Sequence, residues 1–174
     1  DHNGRFDGNF VECFDTSEGV ILVHDIKMIG IEEIYPLAVE FRRYFHQHPE
    51  FAMQEVGTQR YIAEVLERNG IPYQKVGTGL IATVGKGEKC IAIRADMDAL
   101  KVKEETGLSY CSQNEGMMHA CGHDFHTAAV LGAALILKQQ EAKLKGTVKI
   151  IFQPAEEAPG GAKLVLATGT LKNV

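Results

Sequence analysis

One stretch of the sequence, HACGHDFH, concentrates side chains that bind metal ions. A single glycine separates Cys121 from His123, so both side chains can converge on one point. Thiolate and imidazole are good ligands for zinc and other late first-row divalent metals, and carboxylates complete such sites. An isolated Cys-x-His pattern often arises by chance, in which case the cysteine is a small buried side chain beside a helix start. The nearby His119, Asp124 and His126 favour the metal site.

A second stretch, QPAEE, places two adjacent carboxylates, Glu156 and Glu157, directly after a predicted strand. Successive side chains of an extended segment point apart, so we expect the two to have different roles. Hydrolysis at a metal needs a ligand and a general base, because the cation acidifies water and the base moves its proton. The alternative is a solvated acidic turn that caps the following helix.

A third stretch, RADMD, leaves another predicted strand. Asp96 and Asp98 are two residues apart and should face the same side of the chain. One of them could orient a metal ligand from behind. A simple ion pair with Arg94 is the alternative, and the spacing alone does not separate the two interpretations.

The remaining histidine pair and the other cysteines have weaker patterns. His46 and His48 could bind a metal, but Pro49 marks a turn and favours a polar cluster at a helix end. We expect no chemical role for Cys13, Cys90 and Cys111.

Three helices and a short fourth are predicted from the spacing of apolar residues. The first helix is expected to begin at Ile31 and to end before Pro49, and the second to cover Val56–Asn69 and to stop at Gly70. The third is expected to be capped by Asp124 and to run to about Gln140. The short fourth helix is expected near Ala162–Thr168.

Strands are predicted where short apolar or β-branched runs lie between glycines and charges. Leu80–Val84 and Cys90–Arg94 are expected to be adjacent strands, and Thr147–Phe152 a third strand of the buried kind. Helix, helix, strand, strand, helix, strand, helix is an α/β order, with a central sheet covered by helices. Ligands gather at the carboxyl ends of strands in such sheets, so we expect the three stretches to form one site.

Composition excludes several classes of protein. With 174 residues, 45% hydrophobic and 24% charged, the chain is typical of a globular domain. A net charge of -5 gives no basic surface for nucleic acid. The longest apolar runs, such as Ala128–Leu137, are too short to cross a bilayer. Four scattered cysteines are too few for a disulfide-stapled secreted domain, so we expect a cytoplasmic protein without membrane or nucleic-acid partners.

The organisation of the chain suggests two parts. Residues 1–27 have no sustained apolar period and are expected to be a leader or cloning remnant outside the fold. Residues 28–174 are expected to be the N-terminal part of a catalytic domain, since no closing element follows at the end.

Together the stretches resemble the zinc-exopeptidase-like metallo-amidohydrolases that include hippurate hydrolase, indole-acetyl-amino-acid hydrolases, N-acyl-amino-acid amidohydrolases and N-acetyldiaminopimelate deacetylase. The resemblance covers nearly everything from Ile31 to Val174. HACGHDFHT and FQPAEE are individually specific, and their order and spacing are hard to match by accident. The matching stretches are Phe41–Glu55, Ala92–Leu100, Met117–Ala128 and Ile150–Lys163.

The resemblance implies roles for single residues and cofactors. Cys121, His123 and Glu157 would ligate metal, Glu156 would be the proton-shuttling base, and Asp96 an active-site residue. Members of the family bind two divalent ions, commonly manganese or zinc, with cobalt or nickel as alternatives. They also carry a lid and dimerisation domain downstream, which implies a full-length homodimer or homotetramer.

Two features depart from the family pattern. Lys101 stands where the family usually has proline, which would loosen that loop. The resemblance also places two further metal-binding histidines beyond Val174, so we expect little activity from the 174 residues alone.

The expected function is metal-dependent hydrolysis of the amide bond of N-acyl amino acids, as in hippurate, releasing a carboxylic acid and an amino acid. Glu156 would take a proton from water and return it to the departing amine. One alternative is a dipeptidase or aminopeptidase of the same superfamily, which Arg94 disfavours because those relatives tend to carry histidine there. The others are nucleophilic hydrolysis by Cys121 and His123, and an inactive metal-binding fragment.

Overall fold

The computed structural model describes residues 31–174. The predicted leader at residues 1–27 and Cys13 lie outside this range. Within it, none of the helices combines the length and the apolar character needed to cross a membrane.

The first two helices pack on one face of the sheet. They are α1 (Ile31–Gln47) and α2 (Val56–Arg68), close to the predicted bounds. The carboxylate of Glu50 accepts hydrogen bonds from the backbone N–H groups of Gly57 and Thr58 and so caps α2. The side chains that α1 buries recur at helical spacing: Ile34, Leu37, Phe41 and Phe45.

Four strands form one mixed sheet, in the order β1-β2-β4-β3. Strand β4 pairs antiparallel with β2 and parallel with β3, and β1 pairs antiparallel with β2. The strands are β1 (Tyr73–Val76), β2 (Gly79–Gly85), β3 (Cys90–Asp96) and β4 (Thr147–Gln153).

The sheet corrects two sequence-based predictions. The predicted adjacency of β2 and β3 is wrong, because β4 lies between them. Strand β4 buries five of its seven residues, and the central position between two neighbours is where such an apolar strand loses most contact with water. Strand β1 was not predicted, since Gln74 and Lys75 are exposed at its centre and its four residues carry little apolar pattern.

Hydrophobic residues pack on both faces of the sheet, and the cluster on one face is much larger than that on the other. On the large side, α1, α2 and α3 (His123–Gln139) cover alternate residues of β2 and β4, among them Leu80, Ala82, Ile150 and Phe152. On the opposite face, Ile81 and Ile151 pack with Val165 of α4 (Gly161–Ala167). A short 3₁₀ helix at Glu141–Lys143 connects α3 to β4.

The start of α3 differs from the prediction. Gly122, at φ 80°, precedes the helix, and Asp124 lies inside the first turn instead of capping it. Asp124 is buried, and one of its carboxylate oxygens lies 3.0 Å from Nε of Arg42 and 2.6 Å from Nδ1 of His46. The other oxygen accepts the N–H of Phe125 over 2.8 Å, so the side chain still binds a first-turn N–H group, but from inside the helix and not from the cap position, which Gly122 occupies.

Candidate metal centre

The parallel pairing of β3 with β4 brings the three chemical stretches together. Asp96 and Gln153 are partners in the register, so the residues that follow both strands leave the sheet at the same edge. The first turn of α3 lies there too, since Thr127 donates a hydrogen bond to the carbonyl of Asp96 over 2.7 Å. The three stretches therefore lie together at the carboxyl ends of β3 and β4, as the sequence predicted.

Cys121, His123 and Glu157 form a cluster that fits a metal ion. Their ligand atoms all lie within 4.8 Å of one another. Ligand bonds of about 2.0–2.3 Å can span such a cluster after small side-chain adjustments. Cys121 and Glu157 are exposed while His123 is buried, so the cluster is open to solvent on one side. Thiolate, imidazole and carboxylate are the donor set of zinc-like ions.

The ring of His123 is oriented for metal binding. Its Nδ1 lies 2.9 Å from the backbone carbonyl oxygen of Asp98, so this nitrogen carries the proton and donates it. The lone pair of Nε2 then faces the cluster, 3.8 Å from a carboxylate oxygen of Glu157. Burial alone would lower the pKa of His123, but the contacts with Asp98 and the charge of Asp96 raise it in the metal-free protein.

Both neighbouring glutamates approach this ring. Oε2 of Glu156 lies 3.9 Å from Nε2 of His123, nearly as close as the Glu157 oxygen at 3.8 Å. The segment bends after β4, so the prediction from an extended segment, that the two side chains point apart, does not hold. The Glu156 side chain is the more exposed, at 41% against 26% for Glu157. Their division into base and ligand stays a prediction.

The thiol of Cys121 is held in its protonated form when metal is absent. A hydrogen bond to the Glu157 carboxylate raises the pKa of Cys121, and the negative charges of Glu156 and Asp96 add to this effect. A metal ion that binds the thiolate must therefore displace this proton.

Asp96 makes the ion pair with Arg94 that was one of the two interpretations, and it also contacts His126. One carboxylate oxygen accepts a hydrogen bond from Nδ1 of His126 over 2.7 Å, and the other lies 2.7 Å from Arg94. Burial would raise the pKa of Asp96, but the hydrogen bond from His126 and the nearby charges of His123 and Arg94 lower it.

A second cluster of possible ligands joins Asp96, His123 and His126, whose ligand atoms also lie within 4.8 Å of one another. The sequence analysis used His126 only as a neighbour that favours a metal site and did not predict it as a ligand. Its position three residues after His123 on one helix face was the signal that could have identified it.

Three further histidines of the described residues lie outside both clusters. His46 contacts Asp124 over 2.6 Å and Glu104 over 3.1 Å, and His48 donates to the carbonyl of Tyr44, which confirms a polar cluster at the helix end. His119 is buried, and neither ring nitrogen has a hydrogen-bond partner among residues 31–174. Burial lowers the pKa of His119 to about 4, so its ring is neutral.

A mixed α/β sheet with a thiolate, an imidazole and a carboxylate at its strand ends defines a metal-binding α/β domain. Residues 92–173 match the model of peptidase family M20/M25/M40. The match assigns residues 92–173 to this M20 peptidase and amidohydrolase family. The resemblance inferred from the sequence motifs and the α/β fold class are confirmed.

Individual relatives agree with the family assignment. The chain is 38% identical to N-acetyl-L-cysteine deacetylase of Bacillus subtilis over 178 residues, covering 100% of the chain and 43% of that protein. It is 42% identical to IAA-amino acid hydrolase ILR1-like 5 of Arabidopsis thaliana, covering 94% of the chain and 38% of that protein. The chain therefore spans about two fifths of the length of these relatives.

A solved structure shares the fold. The Bacillus subtilis YXEP protein, described as a dinuclear metal binding peptidase from the M20 family, superposes with a TM-score of 0.79 at 46% identity. The match covers 83% of this chain and 42% of that protein.

Proposed function

We propose that the chain is the N-terminal part of the catalytic domain of a metal-dependent amidohydrolase that cleaves N-acyl amino acids. The observation that carries the proposal is the Cys121, His123 and Glu157 cluster with the Glu156 carboxylate beside it. Relatives named as an N-acetyl-L-cysteine deacetylase and an IAA-amino acid hydrolase support this substrate class. A related structure described as dinuclear supports a requirement for two divalent ions, such as manganese or zinc.

Each residue of the cluster has a defined task in this mechanism. Cys121, His123 and Glu157 would hold an ion, which when bound acidifies water and polarises the amide carbonyl. Glu156 stands beside the ligands with an exposed carboxylate, from which it can accept a proton of the attacking water. The same carboxyl group then protonates the departing amine as the C–N bond breaks. Asp96 keeps His126 in place and carries the negative charge that faces His123.

If the protein were a dipeptidase or an aminopeptidase, we would expect a different residue as the first metal ligand. The resemblance implies that those relatives tend to carry histidine at the position of Arg94, and a guanidinium group has no acceptor atom for a metal. The side chain is also engaged, since Nε donates to Gln153 over 3.0 Å and NH1 pairs with Asp96. The acyl-amino-acid reaction is therefore the better supported of the two.

A cysteine nucleophile would need a thiol that ionises readily. The hydrogen bond to Glu157 instead raises the pKa of Cys121, which keeps it a thiol. Cys121→Ser should lower metal content together with activity, because a hydroxyl group is a poor substitute for thiolate toward a zinc-like ion. If the variant kept its full metal content but lost all activity, the nucleophile alternative would gain support.

The experiment that tests the proposal measures hydrolysis by the full-length protein after loading with Mn²⁺ or Zn²⁺. The substrates are hippurate, N-acetylcysteine and an indole-acetyl amino acid, with an unacylated dipeptide as the matched control. We expect release of the free amino acid from at least one acylated substrate, loss of activity with a chelator and recovery with metal. Preferential cleavage of the dipeptide, or activity that a chelator does not affect, would contradict the proposal.

We also propose a cytoplasmic location and a homodimeric or homotetrameric full-length form. The sparse cysteines support the first, and the family resemblance supports the second. Cell fractionation and light scattering on the purified full-length protein test them.

A further inference from the structure

The strand that leads into the metal centre carries an arginine close to its end. Nη1 of Arg94 lies 2.7 Å from one carboxylate oxygen of Asp96, and the other oxygen of Asp96 lies 3.7 Å from Nε2 of His123. A single carboxyl group therefore separates the guanidinium from the ring that would bind a metal ion. Among the ion pairs of residues 31–174, that of Arg94 with Asp96 is the only one that joins an arginine or a lysine to a member of either ligand cluster.

The guanidinium of Arg94 is held in place but is not covered. Its Nε donates a hydrogen bond to the side-chain oxygen of Gln153 over 3.0 Å, and Gln153 is the partner of Asp96 in the register of β3 and β4. Neither this contact nor the ion pair with Asp96 uses Nη2, and 42% of the side chain remains exposed. A guanidinium has more N–H groups than these two contacts use, so Arg94 can donate to a further acceptor.

The surroundings of this arginine are strongly acidic. Carboxylate oxygens of Asp96, Glu156 and Glu157 lie 3.7, 3.9 and 3.8 Å, respectively, from Nε2 of His123. An anionic group of a ligand that entered this site would be repelled by these carboxylates unless a cation paired with it. The guanidinium of Arg94 is an exposed cation beside them.

The substrates of the proposed reaction carry such an anionic group. In an N-acyl amino acid, the carboxylate carbon is three bonds from the carbonyl carbon of the amide that is cut, a span of about 3–4 Å. The residue that binds the carboxylate must therefore lie close to the atoms that hold the amide. Arg94 meets this requirement through its contact with Asp96, and the planar fork of an arginine matches a carboxylate in shape and charge.

We propose that Arg94 binds the carboxylate of the substrate and so selects N-acyl amino acids over amides that lack this charge. The inference rests on the proposed function and names the group that its substrates must carry. Asp96 and Gln153 hold the guanidinium at the carboxyl ends of β3 and β4. Charge-assisted hydrogen bonds from an arginine are strong, so removal of the fork should cause a measurable loss of specificity.

Arg42 offers a matched control. It also pairs with an aspartate beside a candidate ligand, since its Nε lies 3.0 Å from Asp124, the neighbour of His123 in the chain. Its guanidinium, however, lies over the ring of Tyr110, 5.2 Å from the centroid, and Asp124 is buried. Loss of either arginine breaks one ion pair with an aspartate near the metal centre, but only Arg94 pairs with a member of the ligand clusters.

The test compares each N-acyl amino acid with its carboxamide, which lacks the charge. The pairs are hippurate with hippuramide and N-acetylcysteine with its amide, and the protein is the metal-loaded full-length form. We expect Arg94→Gln to lower kcat/KM for the acids by about 10–100-fold and to leave kcat/KM for the amides nearly unchanged. Arg94→Lys should recover part of the loss, because it restores the charge without the fork. Arg42→Gln should keep the ratio of acid to amide of the unmodified protein.

The ratio of kcat/KM for acid and amide separates carboxylate binding from a general defect. A variant that folds poorly or has lost metal cleaves both substrates less well, so its ratio does not change. Bound metal is measured for each variant to identify such a defect. An unchanged ratio in Arg94→Gln, or the same change of ratio in Arg42→Gln, would overturn the proposal.

Binding measurements keep this proposal separate from the proposed hydrolysis. A full-length protein that cleaves no N-acyl amino acid would refute the proposed function. Calorimetry of the same protein with hippurate and with hippuramide then decides the role of Arg94. Tighter binding of hippurate that Arg94→Gln abolishes would support a carboxylate site at this residue. Equal binding of the two ligands, or binding of neither, would overturn it.

Discussion

Glu156 and Glu157 are neighbours in the chain whose carboxylates lie at nearly equal distances from the His123 ring. They differ in their position relative to Cys121, because only the carboxylate of Glu157 belongs to the cluster of possible ligands that contains the Cys121 sulfur. At the scale of single residues, the proposed mechanism therefore depends on which of the two carboxylates would hold the metal and which would move the proton.

Substituting each glutamate by glutamine separates these roles. Glu156→Gln should keep metal content and lower kcat by about 10²–10⁴, because the amide cannot accept the proton. Glu157→Gln should lose metal first and regain part of its activity in excess metal. Bound metal and kcat are measured for both variants of the full-length protein across one metal titration. Equal metal loss in the two would show that Glu156 is a ligand as well.

Metal affinity should rise with pH. In the metal-free protein the pKa of the Cys121 thiol is raised by its hydrogen bond to Glu157, and that of His123 is raised by Asp98 and Asp96 despite burial. Metal binds the deprotonated forms, so protons compete with it until the pH passes each raised pKa. We expect the apparent Kd for Zn²⁺ to fall steadily from about pH 6 to pH 9, across the ordinary ranges of histidine and cysteine.

The control for this pH profile is Cys121→Ser, which removes the thiol proton. Its affinity should be lower throughout and should stop improving once the His123 ring has lost its proton. An affinity for Zn²⁺ that does not change with pH in the unmodified protein would show that neither group ligates the ion.

At the scale of elements, the site depends on the turn from β4 into α4. A Cβ added to Gly161, the first residue of α4, would lie only 1.7 Å from the carbonyl oxygen of Pro154 and 2.8 Å from that of Ala155. The absence of a side chain at this position is what lets the helix start so close beneath the Glu156–Glu157 segment.

Gly161→Ala should therefore displace that segment. We expect a loss of stability of about 1–3 kcal/mol, typical of inserting a methyl group into a filled space, together with weaker metal binding. Gly132→Ala is the control, because its Cβ would make ordinary contacts of 3.6 Å with Ala38 and 3.7 Å with Ile34 inside a helix. Gly132→Ala should leave the free energy of unfolding unchanged or raise it slightly. Chemical denaturation and Co²⁺ titration compare the two, and a Gly161→Ala protein of normal stability and affinity would contradict this account.

At the scale of the whole molecule, the described residues form a sheet with its core mainly on one face. The chain spans about two fifths of the length of the relatives that it matches, and we propose that residues from outside this stretch complete the two-metal centre. The segment at residues 1–27 has no amphipathic period that would pack it onto this core.

Deleting residues 1–27 should leave the melting temperature nearly unchanged. A segment without an apolar face buries little surface and so contributes little to the free energy of unfolding. Thermal unfolding of the full-length protein with and without these residues measures the difference. A large decrease in the melting temperature would show that the segment is part of the core.

The sequence by itself determined the elements with strong periods and pointed to the candidate metal ligands. Without coordinates, the spacing of apolar residues identified α1 and α2, and short apolar runs identified β2, β3 and β4. The motifs likewise pointed to Cys121, His123 and Glu157. Helical and strand periods record which face is buried, and metal-binding side chains are rare enough in combination to stand out.

Only the tertiary structure decided how these parts meet. The sequence could not place β4 between β2 and β3, because strand order depends on contacts between segments far apart in the chain. It assigned Asp124 to a cap because the partners of this carboxylate on α1 lie about eighty residues away in sequence. For the same reason it left the role of Asp98 open. Its hydrogen bonds to the backbone of Glu156 and Glu157 join residues whose proximity follows from the register of β3 and β4.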